Sequence, residues 1–119
     1  MKFKNNIKFG RWGEEKASKY LSAKGYKILE NNYRLKFGEI DIIAGKDDLI
    51  VFIEVKTRSN IDYGFPQAAV TTTKQEKIKK TAQFFLHESN YHDYQIRFDV
   101  ISILYQNEVI KIEHLKNCF

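Results

Sequence analysis

The chain has 119 residues, of which 43% are hydrophobic and 29% are charged. This composition is that of an ordinary folded protein, and it excludes a fibrous or largely disordered chain. Twenty Lys and Arg residues against fifteen Asp and Glu residues give a net charge of +5, which favours a polyanionic partner. One cysteine, Cys118, excludes an internal disulfide. Without an apolar export signal or a membrane-length apolar run, we expect a single cytoplasmic domain that does not enter a membrane.

The first part of the chain predicts an arm, a helix and a strand. Residues 1–9 are basic and weakly patterned, which indicates a loose N-terminal arm. An apolar stripe that includes Leu21 predicts a helix over residues 11–23. Glu14 lies on this inward stripe, so it either has a function there or stabilises the first helical turn. A first strand is predicted over residues 26–33.

Two apolar runs separated by Gly45-Lys46-Asp47-Asp48 predict a β-hairpin in the middle of the chain. Charged residues interrupt both runs, Asp41 in the first and Glu54 and Lys56 in the second. Because side chains alternate along a strand, Glu54 and Lys56 share one face. If Asp41 lies opposite Glu54, both carboxylates meet on that face, whereas a one-residue slip would move Asp41 away. Such charges need a partner, a metal or a catalytic role, and the alternative is a structural salt-bridge cluster.

The remaining pattern predicts a loop, a second helix and two strands. The loop covers residues 59–73 and contains the only proline, and a threonine at its end would cap a helix over residues 74–88. Lys74 is the charge that this helix turns inward, unless its side chain extends back to solvent. Strands are predicted over residues 95–104 and 109–112. Because a helix connects the third and fourth strands, we expect those two strands to be parallel.

The order of these elements predicts an α/β fold, with a mixed β-sheet flanked by helices. Four other ionisable residues are not predicted to belong to a catalytic or metal site. His87, His92 and His114 are scattered without metal-ligand spacing, so we predict that they are solvated surface residues. Asp99 is predicted to have a structural role.

Paired carboxylates beside a lysine indicate metal-dependent phosphodiester chemistry. Two adjacent carboxylates repel each other unless a cation bridges them, and hard oxygen ligands suit Mg²⁺ or Mn²⁺. An ammonium group beside the metal can orient a water molecule and neutralise charge that develops in the transition state. Asp41, Glu54 and Lys56 are therefore the candidate catalytic residues of the hairpin.

These motifs together resemble a known nuclease superfamily. Asp41 followed by Glu54-Val55-Lys56, after a helix that bears Glu14, resembles the PD-(D/E)xK restriction-endonuclease-like superfamily. The wider pattern is similar to that of the YraN family of predicted endonucleases. It comprises Gly10-Arg11-Trp12-Gly13-Glu14, Ala17, Gly25-Tyr26, Gly38-Glu39-Ile40-Asp41, Phe52-Ile53-Glu54-Val55-Lys56-Thr57-Arg58, Lys74 and Phe98-Asp99-Val100.

The resemblance implies an αβββαβ core with an extra C-terminal strand. It also implies a metal bound by Asp41, Glu54 and the main-chain carbonyl of Val55, with Lys56 positioning the hydrolytic water. Glu14 would reach the metal directly or through water, as the helix glutamate does in archaeal Holliday-junction resolvases of this superfamily.

We therefore predict a Mg²⁺- or Mn²⁺-dependent DNA endonuclease that selects branched or processed DNA by its shape. A homodimer would suit a cut in both strands. The alternatives are a non-catalytic nucleic-acid-binding protein on the nuclease fold and an assembly subunit whose charges only stabilise the sheet. Glu39 is a second-tier site candidate, and the residues predicted to hold the DNA backbone are Arg34, Lys36, Arg58, Lys74 and Lys77.

Overall fold

Five β-strands form one mixed sheet in the order β1-β2-β3-β4-β5. The structure is a computed structural model that describes residues 3–60 and 64–119. β3 and β4 are parallel and every other neighbouring pair is antiparallel, so the predicted α/β fold with a mixed sheet is confirmed. The elements are α1 (Asn6–Ala23), β1 (Lys27–Leu35), β2 (Gly38–Lys46), β3 (Leu49–Arg58), a 3-10 turn (Pro66–Ala69), α2 (Thr72–Glu88), β4 (Gln95–Gln106) and β5 (Val109–Leu115).

Alternating apolar side chains give the sheet two buried faces, and one helix covers each. Leu21 of α1 belongs to a buried cluster with Ile53 of β3. Phe85 of α2 belongs to a second cluster with Phe52, which points to the opposite side of β3. In the parts of the chain that the structure describes, neither helix is long and apolar enough to span a membrane.

Helix α1 begins earlier than the sequence predicts. The side chain of Asn5 caps it by accepting a hydrogen bond from the main-chain N–H of Lys8 at 2.9 Å. The ring of Phe3 packs against Trp12, with ring centroids 5.2 Å apart. Residues 6–9 are therefore helical and the predicted loose arm is wrong for them, because a cap and an aromatic contact outweigh their weak helical pattern.

Helix α1 passes very close to β3 at Gly13. A Cβ atom at Gly13 would overlap the side-chain oxygen of Thr57 and lie 3.0 Å from its Cβ. Gly10, three residues earlier in the same helix, has no such neighbour within 4 Å. The glycine at position 13 therefore allows α1 to approach the strand that carries the candidate site, whereas Gly10 has no packing requirement.

The two glycines provide a matched pair of tests. We expect Gly13→Ala to lower the free energy of unfolding by about 1–3 kcal/mol, because the added methyl group overpacks the contact with Thr57. Gly10→Ala should instead raise it by about 0.8–1 kcal/mol, since alanine is the better helix former. Urea denaturation measures both changes. Adding Thr57→Ala to Gly13→Ala should recover part of the loss, and a stabilising Gly13→Ala variant would contradict this packing.

A buried polar network connects β4 with β5 and the residues that follow β5. The side chain of Asp99 is fully buried and accepts hydrogen bonds from Arg97 Nε at 2.9 Å and from the main-chain N–H of Asn117, also at 2.9 Å. His114 Nε2 lies 2.6 Å from Asp99 Oδ2, and the side chain of His114 is almost fully buried. The prediction that His114 is a solvated surface residue is therefore wrong, because β5 extends to Leu115 and turns this ring towards β4.

Candidate active site

The register of β2 and β3 brings Asp41 and Glu54 side by side. The final pair of this ladder is Ile42 with Ile53, so Asp41 and Glu54 are the next residues along the two strands. The one-residue slip is excluded. Beyond this pair β2 separates from β3, and Asp41 Oδ2 accepts a hydrogen bond from the main-chain N–H of Val55 at 2.8 Å. The carboxylate of Asp41 thus supplies an acceptor to β3 where the ladder has ended.

Glu54 is buried and forms an ion pair with Lys74. Its Oε1 lies 3.3 Å from Nζ of Lys74, which confirms that Lys74 turns inward. Burial, followed by the hydrogen bond and negative charge of Asp41, raises the pKa of Glu54 to about 8, against the attraction of Lys74 and Lys56. Burial and Asp41 therefore favour the neutral form of Glu54 more strongly than the two lysines favour its charged form.

Lys74 reaches Glu54 because of the way α2 begins. Thr71 caps the helix, its Oγ1 accepting a hydrogen bond from the main-chain N–H of Lys74 at 3.2 Å. Gly38 lets β2 pass close to α2, since a Cβ atom there would lie 3.0 Å from the carbonyl oxygen of Lys77. The first turn of α2 is thereby held over the end of β2.

Lys56 lies two residues beyond Glu54 and points to the same face of β3. Its side chain is half-buried. Burial lowers the pKa of Lys56, and the neighbouring ammonium of Lys74 lowers it further. A larger share of Lys56 is therefore neutral than for an exposed lysine, a state that can accept a hydrogen bond from water.

Glu14 lies near the paired carboxylates but does not join them. Burial and the charge of Asp41 raise the pKa of Glu14, while a hydrogen bond with Asn32 opposes this. Within residues 3–60 and 64–119, no three His, Cys, Asp or Glu side chains are close enough together to hold one metal ion. Direct ligation by Glu14 together with Asp41 and Glu54 is thus absent from this geometry.

Asn32 contacts the candidate site residue Glu14, and it was not predicted from the sequence. Its backbone is left-handed, with φ of 54°, which asparagine tolerates better than most residues. The side chain of Asn32 forms a hydrogen bond with Glu14. Paired asparagines inside a strand pattern were the signal that could have identified it.

The other predicted residues surround the site without forming one cluster. Arg34 pairs with Glu39 at 3.2 Å, an exposed ion pair in which both charges are already partnered. Lys36 is exposed between β1 and β2, and Lys77 is exposed on α2. Arg58, at the end of β3, donates a hydrogen bond from Nη1 to the carbonyl oxygen of Gly64 at 2.6 Å.

Two cavities open at the site, one on each side of the β2–β3 end. A cavity of about 470 Å³ is lined by Asp41, Glu54, Lys74 and Lys77. A cavity of about 430 Å³ on the α1 side is lined by Glu14, Val55, Lys56 and Arg58. The paired carboxylates therefore line one opening, and Lys56 contributes to the lining of the other.

The family model and the similar proteins found for this chain carry the same family name. The model described as "Uncharacterised protein family UPF0102" matches residues 13–103. A UPF0102 protein of Caldanaerobacter subterraneus subsp. tengcongensis is 47% identical over 122 residues, covering 100% of each chain. UPF0102 proteins of Dictyoglomus turgidum (44% identical, covering 97% of this chain and 99% of that protein) and Clostridioides difficile (47%, covering 97% and 99%) are similar. The chain therefore belongs to the UPF0102 family, the YraN family that its motifs resemble.

Proposed function

We propose that this protein is a cytoplasmic, metal-dependent DNA endonuclease. The observation that carries the proposal is the meeting of Asp41, Glu54 and Lys56 where β2 separates from β3. Buried or half-buried charges on one sheet face, beside two cavities, are costly unless they bind or react with something. The basic composition of the chain supports a polyanionic substrate.

A divalent cation fits the donor set at this site. Asp41 and Glu54 provide adjacent carboxylate oxygens, and the main-chain carbonyl of Val55 would complete the protein ligands. Mg²⁺ commonly uses only one or two carboxylates and keeps several waters, so a third acid in direct contact is unnecessary. Glu14 would then act through water. When bound, the ion would supply Lewis-acid polarisation of the phosphate and lower the pKa of a bound water.

The chain's own residues would perform the remaining tasks. Lys56 would orient the attacking water and offset charge that develops on the phosphate. Lys74 holds the carboxylate of Glu54 in position through their ion pair. Lys36, Lys77 and Arg58 would hold the DNA backbone without reading bases, while Arg34 would contribute less because Glu39 already neutralises it. Selectivity would then follow DNA structure, and a homodimer would suit a two-stranded cut.

The second candidate is a non-catalytic nucleic-acid-binding protein on the same fold. The ion pair between Lys74 and Glu54 favours it, because that contact already partners one of the two carboxylates without a metal. This candidate needs the basic surface but no bound cation. Cleavage and binding assays on the same DNA separate the two candidates.

The purified protein should cleave at least one DNA in a panel of junction, flap, nicked, linear and single-stranded substrates with Mg²⁺ or Mn²⁺. We expect Asp41→Asn to reduce this cleavage at least about 100-fold. Its binding to uncleaved DNA should change by less than about twofold, because asparagine keeps an acceptor for the N–H of Val55. Gel assays measure cleavage and fluorescence anisotropy measures binding.

Asp47→Asn is the matched control, because Asp47 is exposed in the hairpin turn and its φ of 54° suits asparagine. This variant should cleave like the unaltered protein. Equal cleavage by Asp41→Asn would contradict the proposal. Binding by the unaltered protein without cleavage of any substrate would favour the second candidate.

A further inference from the structure

A third cavity, the Arg58 cavity, continues the site along the same face of the sheet. It measures about 360 Å³ and its lining includes Arg58, Phe65, Ser102, Leu104, Lys111 and Glu113. Ser102 pairs with Lys56 across β3 and β4, and Arg58 lies two residues beyond Lys56 on β3. Two residues of strand span about 6.6 Å, so the cavity begins directly beside the candidate catalytic lysine.

Arg58 contributes a cation to the lining of this cavity. Its Nη1 is bonded to the carbonyl oxygen of Gly64. Among the side-chain nitrogen and oxygen atoms of the residues described, Arg58 Nε is the only buried one without a partner. A guanidinium group matches the oxygens of a phosphate, and that of Arg58 is held by its contact with Gly64 beside the cavity. Lys111 adds a second cation to the same lining.

The rest of the lining suits a nucleobase. The ring of Phe65 is 75% exposed, the most exposed of the large hydrophobic side chains that the structure describes. An exposed aromatic ring offers a surface on which any base can stack. The carboxylate of Glu113 can accept hydrogen bonds from the amino groups that cytosine, adenine and guanine carry. One occupant with a phosphate, a flat aromatic ring and amino donors complements the two cations, the exposed ring and the carboxylate of this lining.

We propose that the Arg58 cavity binds an unpaired nucleotide of DNA next to the phosphodiester that is cleaved. The inference rests on the proposed nuclease function and specifies its substrate class. A base within a duplex is paired and stacked, so it cannot reach Phe65 unless it is extruded. Substrates with single-stranded nucleotides at the cleavage position, such as flaps, forks and single strands, are therefore bound more tightly than continuous duplex.

The test measures binding without a divalent ion, so it does not depend on cleavage. Phe65→Ala should weaken binding of single-stranded and forked oligonucleotides about fivefold to 100-fold in fluorescence anisotropy, because a stacking partner is lost. Binding of a blunt duplex should change by less than about twofold. Phe65→Tyr should retain the affinity of the unaltered protein. Phe84→Ala, at an exposed aromatic residue of α2 outside this cavity, is the matched control.

A charge variant tests the phosphate contact independently. Lys111→Ala should lower the salt dependence of single-strand binding by about one phosphate contact, whereas Lys27→Ala, at the first residue of β1, should leave it unchanged. Unchanged single-strand binding by Phe65→Ala, or equal losses on single strand and duplex, would overturn the inference. If cleavage still depends on Asp41 in that case, the nuclease proposal stands and only the cavity assignment fails.

Discussion

Replacing Asp99 with alanine is expected to lower the free energy of unfolding by about 3–5 kcal/mol. Asp99 is fully buried and its carboxylate accepts hydrogen bonds from Arg97 and from the main chain of Asn117, while His114 lies 2.6 Å away. Alanine would leave the guanidinium of Arg97 without its counter-charge inside the protein. Urea denaturation followed by circular dichroism measures the change.

The control for this substitution is Asp93→Ala. The side chain of Asp93 is 92% exposed, and its ion pair with His92 lies at the surface. We expect a change within about 0.5 kcal/mol. A loss at Asp99→Ala of less than about 1 kcal/mol would show that the network contributes little, because water or a shifted side chain then replaces the carboxylate.

The pH dependence of stability provides a second measurement on Asp99. Burial acts to raise the pKa of Asp99, but the hydrogen bonds from His114 and Arg97 outweigh it and hold the pKa below the ordinary value of 3.8. The contribution of this carboxylate is therefore complete above the pKa of the unfolded chain and is lost as the pH falls through the folded-state pKa. Asp99→Asn should lose stability less steeply than the unaltered protein below about pH 4.

The second large effect is expected at Lys56, where activity and stability should respond differently. Lys56→Met should reduce DNA cleavage about 100- to 1,000-fold if the ammonium stabilises developing charge. The free energy of unfolding should stay within about 0.5 kcal/mol or rise. Burial and the repulsion of Lys74 both disfavour the charged form of Lys56, and methionine fills a similar space without that penalty.

This pair of measurements separates a catalytic role from a structural one. If the charges form only a structural salt-bridge cluster, removing the ammonium of Lys56 would take away positive charge that stabilises the buried carboxylate of Glu54. The free energy of unfolding would then fall by more than about 1 kcal/mol. Such a fall, with cleavage retained, would contradict the catalytic assignment. Lys27→Met, at an exposed position of β1, controls for the loss of a positive charge.

Local pattern was sufficient to predict the hairpin and its charged face. Strand side chains alternate with a period of two, so the placement of Glu54 and Lys56 on one face needs no tertiary information. The register with Asp41 was also a prediction from pattern, because a one-residue slip would have moved Asp41 to the face opposite Glu54, and the ladder confirms it. The inward position of Lys74 followed in the same way from helical periodicity.

The tertiary structure decided which distant residues meet and which do not. Glu14 lies on its predicted helical face, yet the distance between α1 and the paired carboxylates depends on the contact of Gly13 with Thr57, which no local pattern encodes. The burial of His114 depends on its packing against the rings of Tyr20 and Tyr26, which lie far from it in the chain.

The sequence by itself determined the α/β fold, the antiparallel hairpin and the charged residues at its end, because each of these is set by periodicity over a few neighbours. Only the tertiary structure decided that two carboxylates rather than three come together, that Asn32 supports Glu14, and that a cavity continues beyond Lys56. These features depend on how closely helices and strands approach one another. That spacing is set by side-chain packing between segments far apart in the chain.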